Sequence, residues 1–471
     1  MKKIQLNCNI LTQLDKTFYS ELKITPLTNP KLVSINKSLA HQLGFDDECL
    51  ETKEFLQFLN GEYLPKGAIP YSKAYSGHQF GYFVPNLGDG RAINLGKINN
   101  YYLQLKGAGL TPYSRNGDGR AVLRSTIREY LLSEAMYGLG IPTTRAVAMI
   151  TSDTKVLRDY EYEQGAMVLR ASTSWIRFGS FEYAYMGKNK EQNLKQLADF
   201  VINESYPELK NLDNKYEELY FAIVDNTIEM IALWQSIGFM HGVMNTDNMS
   251  IEGLTIDYGP YAMMEEFDKG FICNLSDHEG RYSFENQPFI AQWNLSVLAK
   301  VLSPIAEHKL MESYNDTFIG KYKKRYFSLI KEKLGLYNTE IDDTSLILRL
   351  FSALHSENID YTSFFWNISC EEFSFITTHQ LKAWLELYEK RLEKEIVSKE
   401  KRLTQMKTIN PKYILRNYML QDAIDQAENG DYSLVNDLLK IAQNPYNEHK
   451  EFEKYTQPNK NFKALKCSCS S

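Results

Sequence analysis

The sequence has few cysteines and no long apolar run, and each shortage excludes something. Only six of its 471 residues are cysteine: Cys8, Cys49, Cys273, Cys370, Cys467 and Cys469. Scattered thiols of this kind make no disulfide framework, and no four of them stand at zinc-ligand spacing. Cys467 and Cys469, separated by one serine, are the odd placement, a thiol pair able to exchange with another cysteine within reach. No apolar stretch approaches the length that crosses a bilayer, so no membrane partner is expected. An excess of basic charge is also missing: the formal net charge is −6, which argues against a nucleic-acid partner held by broad phosphate neutralisation. The opening Met1-Lys2-Lys3 is basic, but Asn7, Asn9, Gln13 and Asp15 interrupt any signal-peptide core. Early acidic residues without early arginine do not suit a transit segment, and the chain reads as cytoplasmic.

What is present is the composition of a globular protein, 43% apolar and 24% charged, with a mean hydropathy of −0.40 and enough length for a sizeable core. Residues 1–70 mix short apolar stretches with Pro and Asn and read as an N-terminal extension. Residues 71–185 are rich in Gly, Arg and short β-type runs. Arg91–Leu95 and Tyr101–Leu105 predict two strands joined at Asn99-Asn100, and Ala121–Tyr137 predicts a helix ending near Gly138 and Gly140. Strand-like runs return at Ala146–Ile150, Ala166–Leu169 and Leu254–Ile256. Residues 186–450 are mainly helical, and 451–471 form a tail. The expected class is α+β: a bilobal enzyme with a β-containing N-terminal lobe, a large helical C-terminal lobe and a cleft between them.

Five clusters carry the chemistry. Gly88 and Gly90, followed by Arg91, lie in a turn where backbone N–H groups can approach phosphates. Lys106 ends an apolar strand, where a lysine needs a partner; Glu129, on the following helix, is the candidate, as in the strand-lysine and helix-glutamate pair of kinases. Asp118 and Gly119 sit in a glycine-rich turn ahead of that helix, suited to a base, a ribose or a cation. Arg170 and Arg177 would share one side if the segment were helical, and arginine forks suit polyphosphate oxygens. The most specific pattern is His241-Gly242-Val243-Met244-Asn245-Thr246-Asp247-Asn248, followed by Asp257-Tyr258-Gly259. Kinase catalytic loops run H-x-D-x-x-x-x-N ahead of a metal-binding D-F-G. His241 and Asn248 keep that separation, but the catalytic aspartate position holds Val243, which cannot accept a proton. Asn248 and Asp257 remain as oxygen ligands for Mg²⁺ or Mn²⁺, and Asp247 is the carboxylate left to act as base. His78, in Ser76-Gly77-His78-Gln79-Phe80-Gly81, reads as a structural histidine among aromatics. On residues alone, a kinase with Asp247 as a displaced base and an inactive nucleotide-binding scaffold both stay open. Retention of Lys106, Asn248 and Asp257 counts against the scaffold.

The chain resembles the selenoprotein O family of pseudokinase-like protein adenylyltransferases. The resemblance rests on Tyr75–Gly81, Leu87–Arg91, Leu105–Ser125, Arg170–Glu182, His241–Gly259, Asn410–Tyr413 and Leu415–Asn417, and runs from about residue 70 to the C-terminal end. It implies a kinase-like fold holding ATP in reverse, γ-phosphate inward and α-phosphate toward the acceptor. Gly88, Gly90, Arg91, Lys106, Asp118, Gly119, Arg170 and Arg177 would bind the nucleotide, with Glu129 paired to Lys106. Asn248 and Asp257 would hold the metal and Asp247 would accept the proton. The implied reaction moves AMP onto Ser, Thr or Tyr hydroxyls of proteins, the enzyme itself included, and releases pyrophosphate. Where eukaryotic members carry selenocysteine, this chain has Cys467 and Cys469. The family's proposed redox control suggests a disulfide between one of them and Cys273.

Overall fold

The computed structural model describes residues 1, 4–8 and 13–459. Its central element is an eight-stranded sheet whose paired strands are antiparallel. The strands are β1 (Tyr19–Glu21), β2 (Lys31–Ile35), β3 (Tyr71–Lys73), β6 (Ala92–Ile98), β7 (Tyr101–Lys106), β8 (Ala121–Val122), β9 (Arg145–Arg158) and β10 (Glu161–Ser172). Their order is β1-β3-β6-β7-β10-β9-β2, with β8 against β10. A separate hairpin pairs β4 (Gly77–Gln79) with β5 (Tyr82–Val84), and β11 (Phe239–Met240) pairs with β12 (Ala262–Met263).

Strand alternation divides the sheet into two different faces. Ile93 and Leu95 of β6, Leu103 and Leu105 of β7, and Met167, Leu169 and Ala171 of β10 join one core with Leu39, Phe45, Phe55 and Phe58. The intervening residues Asn94, Gln104, Lys106 and Arg170 lie on the opposite face, and the register sets Asn94 beside Gln104 and Gln104 beside Arg170. Over that face packs the Leu123–Gly138 helix, which is also covered by the Asn417–Glu428 and Ser433–Gln443 helices. Gly138 is required by that cover: a Cβ there would lie 2.1 Å from the Ala442 carbonyl oxygen.

Residues 1–70, expected as an extension, supply β1 and β2 to the sheet and three helices that close its outer face. β9 and β10 extend well beyond the short runs expected for them. Leu254–Ile256, expected as a strand, is reduced to a single bridge between Thr255 and Thr143. The segment from Arg170 to Arg177 is not helical: Arg170 lies in β10, and Arg177 is extended at the start of the Phe178–Met186 helix. Beyond residue 186 the chain is mainly helical except for 237–286, which is loop with β11, β12 and short 3-10 turns, and its core merges with the inner face of the sheet.

Candidate active site

The glycine turns, the inner sheet face and the 241–260 segment surround one cavity of 490 Å³. Gly88, Gly90, Arg91, Lys106, Asp118, Gly119, Glu129, Arg170, Arg177, Asp247, Asn248 and Asp257 all line it. The nucleotide-binding and catalytic residues expected from sequence are therefore brought to one place.

At the base of the cavity, Lys106 Nζ lies 2.5 Å from Glu129 Oε2. Arg170 Nη1 donates to the other oxygen of the same carboxylate at 2.5 Å. Burial alone would raise Glu129, but Lys106 and Arg170 outweigh it and hold the carboxyl below its ordinary value. Asp257 is the second convergence point. Its Oδ1 receives Arg170 at 2.9 Å and Lys106 at 3.4 Å, and its Oδ2 receives Arg177 at 2.5 Å. Burial opposes ionisation of Asp257, yet these cations hold it well below the carboxylate range. Its backbone is left-handed, with φ of +57°, a conformation Asp tolerates better than most residues. Arg170 and Arg177 thus share a target without helical spacing, because a strand and the loop after it lead to the same carboxylate.

Asp247 sits across the cavity in a different state. Its Oδ2 accepts from Gln79 Nε2 at 3.2 Å, while its Oδ1 is buried and has no hydrogen-bond partner. Burial pushes its pKa up to about 6, against the lowering influence of Arg177 and Gln79. Strand β4 grips this loop residue by residue: His78 N donates to Thr246 Oγ1 at 2.7 Å, Gln79 reaches Asp247, and Phe80 N donates to Asn245 Oδ1 at 3.2 Å. Gly77 leaves the space for it, since a Cβ there would stand 2.5 Å from Asp247 Oδ1. Asn248 donates its amide N–H to the Val243 carbonyl at 2.9 Å, which leaves its carbonyl oxygen as the accepting end. His241 is structural. Its Nε2 donates to the Ile256 carbonyl at 2.9 Å, and its ring stacks on Trp234 at 5.4 Å.

Gly88 and Gly119 both have positive φ, and a Cβ at either would strike neighbouring atoms, Tyr113 and the Gly109 carbonyl respectively. Asp118 lies at the rim, 42% exposed, and takes both Nη atoms of Arg158 at 2.8 and 2.9 Å. Cys273 is buried, its Sγ 3.9 Å from the Met240 carbonyl oxygen; Cys467 and Cys469 lie outside the described residues.

Sequence reasoning missed two groups. One is Gln79, overlooked beside the more conspicuous His78. The other is a buried polar row behind the cations. Arg170 bonds Gln104 Oε1, Gln104 Nε2 donates to Asn94 Oδ1 at 3.2 Å, and Lys73 Nζ donates to the same oxygen at 3.1 Å. Asn94 in turn donates to Asp89 at 2.9 Å. Burial lowers Lys73 to about 7. The only signal in the sequence was polar residues at alternate strand positions, a pattern that ordinarily marks a solvent face.

A model of the family described as protein adenylyltransferase SelO matches residues 3–443. The chain belongs to this family. It is 44% identical over 479 residues to the protein nucleotidyltransferase YdiU of Pseudomonas fluorescens strain SBW25, covering 98% of each chain. It is similarly 44% identical over 477 residues to the protein of that name from Vibrio atlanticus strain LGP32, with 98% of each covered. For the Flavobacterium johnsoniae protein of that name the identity is 42% over 500 residues, with 98% of this chain and 95% of the relative covered. No helix among the described residues is long and apolar enough to cross a membrane.

Proposed function

We propose that this SelO-family protein transfers AMP from ATP to a Ser, Thr or Tyr hydroxyl of a protein, itself among the acceptors, and releases pyrophosphate. The observation that carries the reading is the pairing of two unlike halves in one cavity. Lys106, Arg170 and Arg177 gather positive charge around Asp257, and across from them Asp247 presents a buried carboxylate oxygen with no partner. The cations suit a polyphosphate, and a cavity-lining carboxylate outside any ion pair suits an incoming hydroxyl.

In this reading the glycine turns at 88–90 and 117–119 approach the nucleotide through backbone, with Arg91 and Asp118 beside them. Arg170 and Arg177 hold the terminal phosphates, which makes pyrophosphate the leaving group. Lys106, fixed by Glu129, offsets charge that develops as the bond at the α-phosphorus breaks. Gln79 orients the Asp247 carboxylate, which accepts the hydroxyl proton. Asn248 and Asp257 are the hard oxygen donors that would hold Mg²⁺ or Mn²⁺, which supplies further charge neutralisation when bound. No group of three His, Cys, Asp or Glu side chains suited to a metal occurs among the described residues. Two protein donors fit an ion whose remaining positions go to phosphate and water. We read residues 71–185 and 186–450 as the two lobes of a kinase-like enzyme, with 1–70 packed onto the first and 451–471 following the second.

ATP labelled at the α- or the γ-phosphate tests the reaction. Incubated with reduced protein and Mg²⁺ or Mn²⁺, protein-bound label from the α-position alone, with pyrophosphate released, is the expected result. Label from the γ-position makes the protein a kinase and reverses the phosphate assignments of Arg170 and Arg177. Tight ATP binding with no transfer makes it a scaffold.

A further inference from the structure

Beside Gln79 and Phe80, which line the cavity near Asp247, lies an aromatic surface that the chemistry above does not use. β5 carries Tyr82 at 81% and Phe83 at 42% exposure, and the Gln287–Leu302 helix carries Phe289 at 57% and Trp293 at 36%. His78 lies between them, its ring 5.2 Å from Phe83 and 5.5 Å from Trp293. Its Nδ1 is fixed 2.7 Å from the buried carboxylate of Glu182. Arg281 lies over Trp293, 4.7 Å from the ring centroid. Two short routes connect this surface to the base. His78 adjoins Gln79, which bonds Asp247; Arg281 adjoins Tyr282, whose hydroxyl donates to Asn245 Oδ1 at 2.6 Å.

Arg281 is the unusual member. Lys106, Arg170 and Arg177 are each paired with a carboxylate, whereas Arg281 takes part in no ion pair among the described residues and its Nε has no acceptor. Asp277, four residues earlier, is already committed: it accepts from the backbone N–H groups of Arg281 and Tyr282 at 2.9 and 2.7 Å. A guanidinium stacked on an indole keeps its in-plane N–H groups available for a carboxylate, and the ring beneath holds it in place. An exposed aromatic cluster with one half-buried arginine outside any ion pair among the described residues is the composition of a recognition surface rather than of a solvated face.

We propose that this surface docks the acceptor segment of the substrate protein and selects an acidic side chain, held by Arg281, next to an apolar or aromatic one laid on Trp293, Phe289 and the Tyr82–Phe83 strand. The inference rests on the adenylyl-transfer reading: the acceptor hydroxyl has to reach Asp247, and this surface is continuous with Asp247 through Gln79 and Tyr282. Charge complementarity selects the partner, because Arg281 is a cation without an anion.

The test uses the full-length protein, α-labelled ATP and a peptide array. Each peptide carries one Ser, Thr or Tyr acceptor, with Glu, Lys, Phe or Ala placed in turn at every flanking position; self-labelling is followed in parallel. Glu at one flanking position is expected to raise kcat/KM over Lys by about 10-fold, the scale of one charge-assisted contact. Arg281→Glu should invert that preference without changing ATP affinity. Arg281→Lys should keep the sign with a smaller ratio, and Trp293→Ala should lose the preference for Phe while keeping that for Glu. Wild-type self-labelling with no flanking preference, or a Glu preference unchanged in Arg281→Glu, overturns the docking proposal and leaves the reaction intact. Absence of any label despite ATP binding overturns the transfer reading and the docking proposal with it. If Trp293→Ala changes only the oligomeric state in sedimentation, the patch joins copies of this chain and the proposal fails.

Discussion

Asp247 and Asp257 have the same side chain and lie in one cavity, yet their surroundings give them opposite characters. Asp257 is saturated by three cations; Asp247 has one amide donor and one bare oxygen. Asp247→Asn keeps the shape and removes the carboxylate proposed above to accept the proton. It is expected to lower the transfer rate by roughly 10²- to 10⁴-fold, with ATP affinity retained, as read by single-turnover labelling beside calorimetry. Gly77→Ala should also slow transfer, since its Cβ would meet the Asp247 carboxylate at 2.5 Å. At this scale the sequence was legible where a motif fixes spacing: His241, Asn248 and the Asp257 turn stand out, and Asp247, Asn248 and Asp257 line one cavity. Gln79 was not legible, because a glutamine beside a histidine carries no pattern of its own until the fold brings it within 3.2 Å of Asp247.

Elements were easiest to read where burial is one-sided. The Leu123–Gly138 helix and the β6–β7 hairpin follow from periodicity and the Asn99-Asn100 turn, where Asn99 takes a positive φ of 52°. The polar row from Lys73 to Arg170 was misleading, because alternation on a strand reports two different faces and does not say that the polar one is wet. A second buried cation shows what such burial does to stability. Lys333 ends the Phe318–Lys333 helix, buried, with its amine 4.6 Å from the Phe365 ring centroid. Burial lowers its pKa to about 7. Between that value and the ordinary lysine range near 10.4, the unfolded chain binds a proton that the folded chain has released, so stability rises as pH increases through this window. Below it, the folded protein bears the full cost of the buried charge. Lys333→Met should therefore raise Tm, and by more at pH 6.5 than at pH 9; an equal gain at both would refute the depressed pKa.

Over the whole molecule, the N-terminal residues are built into the structure in a way composition did not signal. Asn36 donates to Glu134 at 2.6 Å and accepts from Gln443 at 2.9 Å, and Ser34 donates to Asn436 at 2.9 Å. The first sixty residues therefore touch the sheet, its helix and the last helices at once. Short strands joined by Pro- and Asn-rich loops look like an extension because the partners that complete them, β3, β9 and the last helices, all lie outside the segment. Deleting residues 1–59 would uncover Ile93, Leu103, Leu105 and Leu169 on the outer sheet face. The truncated protein is expected to be insoluble or to lose its cooperative thermal transition, whereas a removable module would leave a folded remainder with an unchanged melt.

The ring of cations around Asp257 makes the cavity self-neutralised, because a carboxylate of the protein offsets charge that the proposed function assigns to phosphate. Mass action then links stability to polyphosphate. Asp257→Asn keeps the left-handed backbone but leaves Lys106 and Arg170 with Glu129 alone and Arg177 without its carboxylate partner. That variant should melt several degrees below the parent, and millimolar pyrophosphate in the presence of a chelator should return more of its Tm than it adds to the parent. An equal response in both proteins would mean that Asp257 and phosphate do not compete for the same three cations.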